Sequence, residues 1–121
     1  MKILICGDRN WSNKKKIMEE LIKVAKENTA LVIHGAARGA DTLSGEVAKE
    51  LGMRVATFPA QWEKFGKAAG VLRNIEMLDE KPDLVLAFHN DLSKSKGTAH
   101  TVKTAQKRGI LVKIISEKGE N

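Results

Sequence analysis

Cysteine is nearly absent from the 121-residue sequence: Cys6 is the only one. A single thiol cannot close an intrachain disulfide, which excludes a disulfide-stapled secreted scaffold and suits a reduced cytosol. Cys6 sits in an apolar run and reads as a buried structural thiol. Long hydrophobic runs are missing as well, and nothing approaches the ~20 residues of a membrane span. Met1 to Cys6 runs straight into Gly7 and Asp8 and is too short for the apolar segment of a secretory signal. The expectation is a cytoplasmic protein with no membrane association. Histidine is scarce: His34, His89 and His100 match no zinc-ligand spacing, so no metal is expected. No Gly-x-Ser-x-Gly elbow is present, which argues against a Ser-His-Asp hydrolase, and no glycine-rich loop ends in Gly-Lys-Ser/Thr, which excludes a Walker motif. Proline-, serine- or glutamine-rich tracts are also absent. The chain should therefore fold as one domain over residues 1–117, with a short tail over 118–121.

A hydrophobic fraction of 42% is enough for one buried core. Lys and Arg outnumber Asp and Glu by 21 to 15, a net charge of +6. Anionic partners are favoured, but many of the lysines (Lys14, Lys15, Lys16, Lys23, Lys26) fall on a helix face, where a solvated basic surface is the ordinary explanation.

Five short apolar runs recur: Ile3 to Cys6, Ala30 to Ile33, Val55 to Phe58, Leu84 to Phe88 and Ile110 to Ile115. Their hydrophobicity is continuous rather than alternating, as in strands covered on both faces. Helical spacing separates them: Ile17, Leu21, Val24 and Ala25; then Leu43, Val47 and Leu51; then Val71, Leu72, Ile75 and Leu78; then Val102 and Ala105. Gly52 and Gly109 fall where helices end, and Pro82 separates the third helix from the next strand. The alternation predicts an α/β, Rossmann-like, doubly wound and mostly parallel five-stranded sheet with helices on both faces. Ligands bind such sheets beyond the carboxyl ends of the strands.

The unusual residues follow the strands. After the first come Gly7, Arg9 and Trp11: a tight turn, a cation suited to phosphate, and a ring that either stacks on a base or packs over the sheet. After the second comes His34-Gly35-Ala36-Ala37-Arg38-Gly39-Ala40-Asp41, opening a helix. Its small residues would let backbone N–H groups approach an anion, while Asp41 either caps the helix or bonds a ribose hydroxyl. After the third come Trp62, Gly66, Gly70, Arg73 and Asn74, with Gly66, Gly70 and Arg73 expected on one helix face. After the fourth, Ser95, Gly97 and Thr98 form either a second anion cradle or an ordinary helix cap.

These motifs resemble the SLOG superfamily, most closely its YspA-like, cpYpsA-related branch of bacteria and phages. The resemblance rests on Gly7-x-Arg9-x-Trp11, the stretch from His34 to Asp41, Pro59-Ala60-x-Trp62, Gly66-Lys67-x-Ala69-Gly70-x-x-Arg73-Asn74, and Ser95-x-Gly97-Thr98. It implies a pocket whose ligand-binding residues are Gly7, Arg9, Trp11, Gly35, Ala36, Arg38, Gly39, Asp41, Trp62, Gly70, Arg73, Asn74, Ser95, Gly97 and Thr98. The implied partner is a nucleotide or an NAD- or ADP-ribose-derived small molecule, sensed or sequestered without a cofactor, by a homodimer. More distantly, the second motif resembles DNA-processing protein A, which implies single-stranded nucleic acid as an alternative partner. The Lonely Guy phosphoribohydrolases are similar too, and they imply cleavage of a nucleoside-monophosphate N-glycosidic bond. Their signature carries a Glu where this sequence has Thr101, so that reaction would need Asp8, Asp41 or Asp91 instead.

Overall fold

In the computed structural model, which describes residues 1–24 and 30–117, each apolar run becomes a strand: β1 (Lys2–Gly7), β2 (Leu31–His34), β3 (Arg54–Thr57), β4 (Leu84–Phe88) and β5 (Leu111–Ile115). β4 has the expected ends and those of the other strands differ by at most a residue, because pairing rather than apolarity sets them. Arg54 pairs with Leu31 and Gly7 with Phe88. All pairings are parallel and the order is β3-β2-β1-β4-β5. Ala25 and Lys26 lie outside the described residues, as does the tail over 118–121. Among the described residues no helix is long and apolar enough to cross a membrane.

Helices α1 (Lys14–Val24) and α2 (Ala40–Glu50) cover one face of the sheet. Ile17, Leu21 and Val47 pack there on Ile3, Ile5 and Phe88. The other face is covered by α4 (Ala69–Asp79) and α5 (Lys96–Lys107), where Met77, Leu78, Val102 and Ala105 meet Leu4, Val85 and Ala87. β1 and β4 are thus buried on both sides, which explains their unbroken apolarity. Gly52 (φ 78°) and Gly109 (φ 75°) follow the ends of α2 and α5 in the left-handed conformation expected of them.

The third helix departs from expectation. A short helix α3 (Trp62–Phe65) ends at Gly66 (φ 55°), a turn of 3-10 helix follows, and α4 begins only at Ala69. Gly66 therefore shares no helix face with Gly70 and Arg73. The inner face of α4 holds Ala69, Asn74, Met77 and Leu78, leaving Val71 and Leu72 exposed. Polar Arg73 and Asn74 take the inward direction near the start of α4, so the apolar neighbours turn outward.

Glu20 was not foreseen in the core. Only 3% of its side chain is exposed, and it accepts from Lys113 of β5 at 2.7 Å. Burial pushes this carboxyl up, but the ammoniums of Lys113 and Lys23 outweigh it and hold it below the ordinary carboxylate value.

Candidate functional site

The crossovers reverse direction between β1 and β4, and there the carboxyl ends of two neighbouring strands diverge. A cavity of about 390 Å³ opens at this point. Gly7, Asp8, Arg9 and Asn10 after β1 line it, together with Ala37, Arg38 and Asp41 after β2. Arg73 and Asn74 of α4 join them, as do His89, Lys94 and the first turn of α5 from Ser95 to Thr98.

The turn after β1 is held by Asp8. Its carbonyl accepts from Trp11 N and Ala40 N, and its side chain accepts from Asn10 N. This turn carries Trp11 inward, where it is 4% exposed, meets Phe88 edge-on at 5.6 Å and donates from its indole to Asn13 O. Trp11 is core, and the expectation that it contacts a ligand is corrected. Gly7 is small because a side chain would strike the carbonyl of Phe88 and the methyl of Ala40.

The loop after β2 is built differently from an open anion cradle. Asp41 turns back rather than capping α2: its Oδ2 accepts Gly35 N at 3.0 Å and Ala37 N at 3.3 Å. Between them, Ala36 N donates to His34 Nδ1 at 2.9 Å. Three successive amides expected to face a ligand are thus taken by side chains of the chain itself. The helix N-cap is Gly39 (φ 77°), which makes no side-chain cap bond. A side chain at Gly39 would collide with the backbone of Asp8 and Arg9, so its smallness serves the packing of one loop on another. Ala36 adopts φ 60°, an uncommon conformation for a residue with a side chain, and it is exposed.

Arg73 closes the wall. Its Nε donates to Asn74 Oδ1 at 2.9 Å and one terminal nitrogen to Gly35 O at 2.6 Å, which uses two of the five N–H donors of a guanidinium. A Cβ on Gly35 would overlap that guanidinium. Gly35 therefore admits Arg73, where the sequence suggested that it admits a ligand. Burial depresses the Arg73 pKa, with Arg9 adding to this and Asp41 opposing it. Asp41 is 6% exposed, and burial raises its carboxyl to about 6 despite the amides of Ala37 and Gly35 and the guanidinium of Arg73. Burial also lowers the His34 pKa, with Lys49 and Arg73 adding to the effect. Cys6 lines the cavity, and burial, aided by Asp41, pushes its thiol far up.

The fourth loop takes the capping role. Ser95 Oγ caps α5 by accepting Thr98 N at 3.2 Å, and the same turn lines the cavity with Lys96 and Gly97. Thr101 is buried, and its Oγ1 donates to Gly97 O at 3.2 Å. Asp91 lines a neighbouring cavity instead, where its carboxylate accepts from Ser93, which lowers its pKa. Lys94, Lys96, Asn10 and His89 line the central cavity although sequence reasoning did not single them out. Their position directly after β1 and β4 was the available clue. Among the described residues no cluster of three or more His, Cys, Asp or Glu suited to a metal is present.

Trp62 lies apart from the central cavity, half exposed, in a second cavity of about 490 Å³. The two cavities share Arg9, Ala37, Arg38 and Arg73 as a common wall. Gly70 faces Trp62, whose Cη2 lies 3.4 Å from where a Cβ on Gly70 would stand. Gly66, by contrast, meets nothing within 4 Å.

Residues 1–65 match the family described as YspA, cpYpsA-related SLOG. The chain is 40% identical over 120 residues to the Gene 61 protein of Mycobacterium phage D29, covering 92% of this chain and 93% of that protein. Its fold is similar to that of DNA processing protein A (DprA) from Streptococcus pneumoniae, with a TM-score of 0.76 at 18% identity. That likeness covers 99% of this chain but 52% of DprA, so the chain spans about half the length of that protein.

Proposed function

We propose that this chain, which belongs to the YspA, cpYpsA-related SLOG family, binds a nucleotide or nucleotide-derived ligand by its phosphate in the central cavity and acts by sensing or sequestering it. One observation carries this reading: Arg9, Arg38, Arg73, Lys94 and Lys96 converge on a single cavity at the strand-order reversal, against the carboxylates of Asp8 and Asp41. Arg73 is held by Gly35 O and Asn74 before any ligand arrives, which limits the ordering cost of binding. The first turn of α5 adds the positive end of a helix dipole. Titration calorimetry with AMP, ADP-ribose, cyclic AMP and inorganic phosphate tests the reading. Uptake of at least one is expected, weakened about tenfold or more in Arg73→Ala by loss of a charge-assisted contact. Heat-silent titrations across the whole panel refute it.

A second reading is single-stranded nucleic acid. Three adjoining cavities run along one edge of the sheet, Trp62 is exposed beside them, and the fold is that of a protein named for DNA processing. Affinity for a labelled oligonucleotide would then rise with strand length and fall steeply with salt. Hydrolysis of an N-glycosidic bond would have to rely on Asp8 or Asp41, which line the cavity, since Thr101 offers only a hydroxyl already directed at Gly97 O.

A further inference from the structure

We infer that the cavity beside Trp62 is a base-binding subsite, in which the indole stacks on the heteroaromatic ring of the same ligand whose phosphate the central cavity holds. This rests on the proposed phosphate site and adds what the other end of the ligand must be: a nucleobase or a ring of similar size and flatness.

Three features of the cavity carry the inference. An indole is costly to leave in water, yet Trp62 is 53% exposed while the other tryptophan, Trp11, is 4% exposed and fully used by the core. Trp62 is also positioned rather than loose. It begins α3 and approaches Gly70 of α4 so closely that a methyl there would touch Cη2 at 3.4 Å. An indole that touches α4 at Gly70 and is still half open to solvent has ring surface left for a second flat ring. Finally, the wall that separates Trp62 from the central cavity consists of Arg9, Arg38 and Arg73 with Ala37. Guanidiniums at that position neutralise a phosphate on one side and lie beside a stacked ring on the other. A ligand that fills both cavities therefore presents an anion on one side of these guanidiniums and an aromatic ring on the other. That is the chemistry of a nucleoside 5′-phosphate, free or at the end of a strand.

The test uses the full chain with AMP, ribose 5-phosphate and a single-stranded oligonucleotide. AMP is expected to bind more tightly than ribose 5-phosphate by roughly tenfold or more, the scale of one base stacked on an aromatic side chain. Trp62→Ala should erase that preference and leave ribose 5-phosphate binding unchanged, Trp62→Phe should restore much of it, and Arg73→Ala should weaken both ligands. AMP should also alter the emission of Trp62 but not of Trp11, read by comparing the protein with Trp62→Phe. Equal affinities for AMP and ribose 5-phosphate, or a preference that survives Trp62→Ala, overturn the subsite and leave the phosphate site standing. Failure of all three ligands to bind overturns both. The strand separates the sources: binding that tightens with strand length assigns the subsite to a nucleotide within nucleic acid, and length-independent binding assigns it to a free nucleotide.

Discussion

Arg73 and Gly35, 38 residues apart in sequence, are joined by a 2.6 Å hydrogen bond from the guanidinium to the glycine carbonyl, and the space a side chain would fill at Gly35 is taken by that guanidinium. Gly35→Ala should consequently do two things at once. Overpacking is expected to cost about 1–3 kcal/mol of stability, and displacement of Arg73 should weaken AMP binding by about tenfold or more. Urea denaturation and calorimetry on the same preparation read the two effects. Full affinity in a folded Gly35→Ala protein would mean that Arg73 does not depend on this seat.

Two other glycines should behave in opposite ways. Gly39 combines φ 77° with backbone of Asp8 and Arg9 where a Cβ would go, so Gly39→Ala should lose more than about 3 kcal/mol, as left-handed strain adds to overlap with atoms that cannot rotate away. Gly97 lies in the first turn of α5 with nothing within 4 Å of a Cβ. Gly97→Ala should leave stability unchanged or raise it by up to ~1 kcal/mol through helix propensity. Thermal melts of both variants check the contrast, and a stable Gly39→Ala would contradict the loop packing described above.

Asp41 gives the site a pH dependence of defined sign. Its carboxyl ionises near 6 in the folded protein against 3.8 ordinarily, chiefly through burial, so the folded state holds its proton more tightly than the unfolded chain does. Its contribution to stability is therefore fully present below about pH 4 and is lost as pH rises through about 6. At 1.36 kcal/mol per pKa unit the loss amounts to about 3 kcal/mol. Asp41→Asn keeps an acceptor for Gly35 N and Ala37 N without the charge. The stability difference between Asp41→Asn and the unsubstituted protein should shift in favour of Asn by about that amount between pH 4 and pH 7.5. Sulfate, whose charge is constant over this range, should bind the unsubstituted protein less well as pH rises through about 6, and Asp41→Asn should remove that trend. A sulfate affinity that ignores pH in both proteins would show that Asp41 does not face the anion.

Much of this was legible in the residues. Continuous apolar runs marked β1 and β4 because both their faces are covered, and Gly52 and Gly109 marked helix ends because few other residues tolerate their φ. The segments after β1, β2 and β4 line one cavity, at the sheet edge where ligands bind in folds of this topology. What stayed hidden depends on direction. Val71 and Leu72 fit helical spacing, but α4 turns Asn74 inward instead and so rotates them into solvent. Asp41 stands where a cap or a sugar contact is expected, and only the folded loop reveals that it reaches back to Gly35 and Ala37. Trp11 and Trp62 are the same residue type, each a few residues after a strand. The Asp8 turn buries one and the short α3 leaves the other exposed.

The amides of Gly35, Ala36 and Ala37 are bonded in turn by Asp41, His34 and Asp41. Each of these bonds is internal to the folded chain and none awaits a guest. This part of the wall beside Trp62 is therefore a finished surface whose shape is set when the chain folds. An arriving anion meets side-chain cations over a rigid floor, so discrimination among ligands falls to Arg9, Arg38 and the lysines after β4, whose long side chains can adjust. Drift among relatives in those outward positions would retune what is recognised without disturbing the loop beneath.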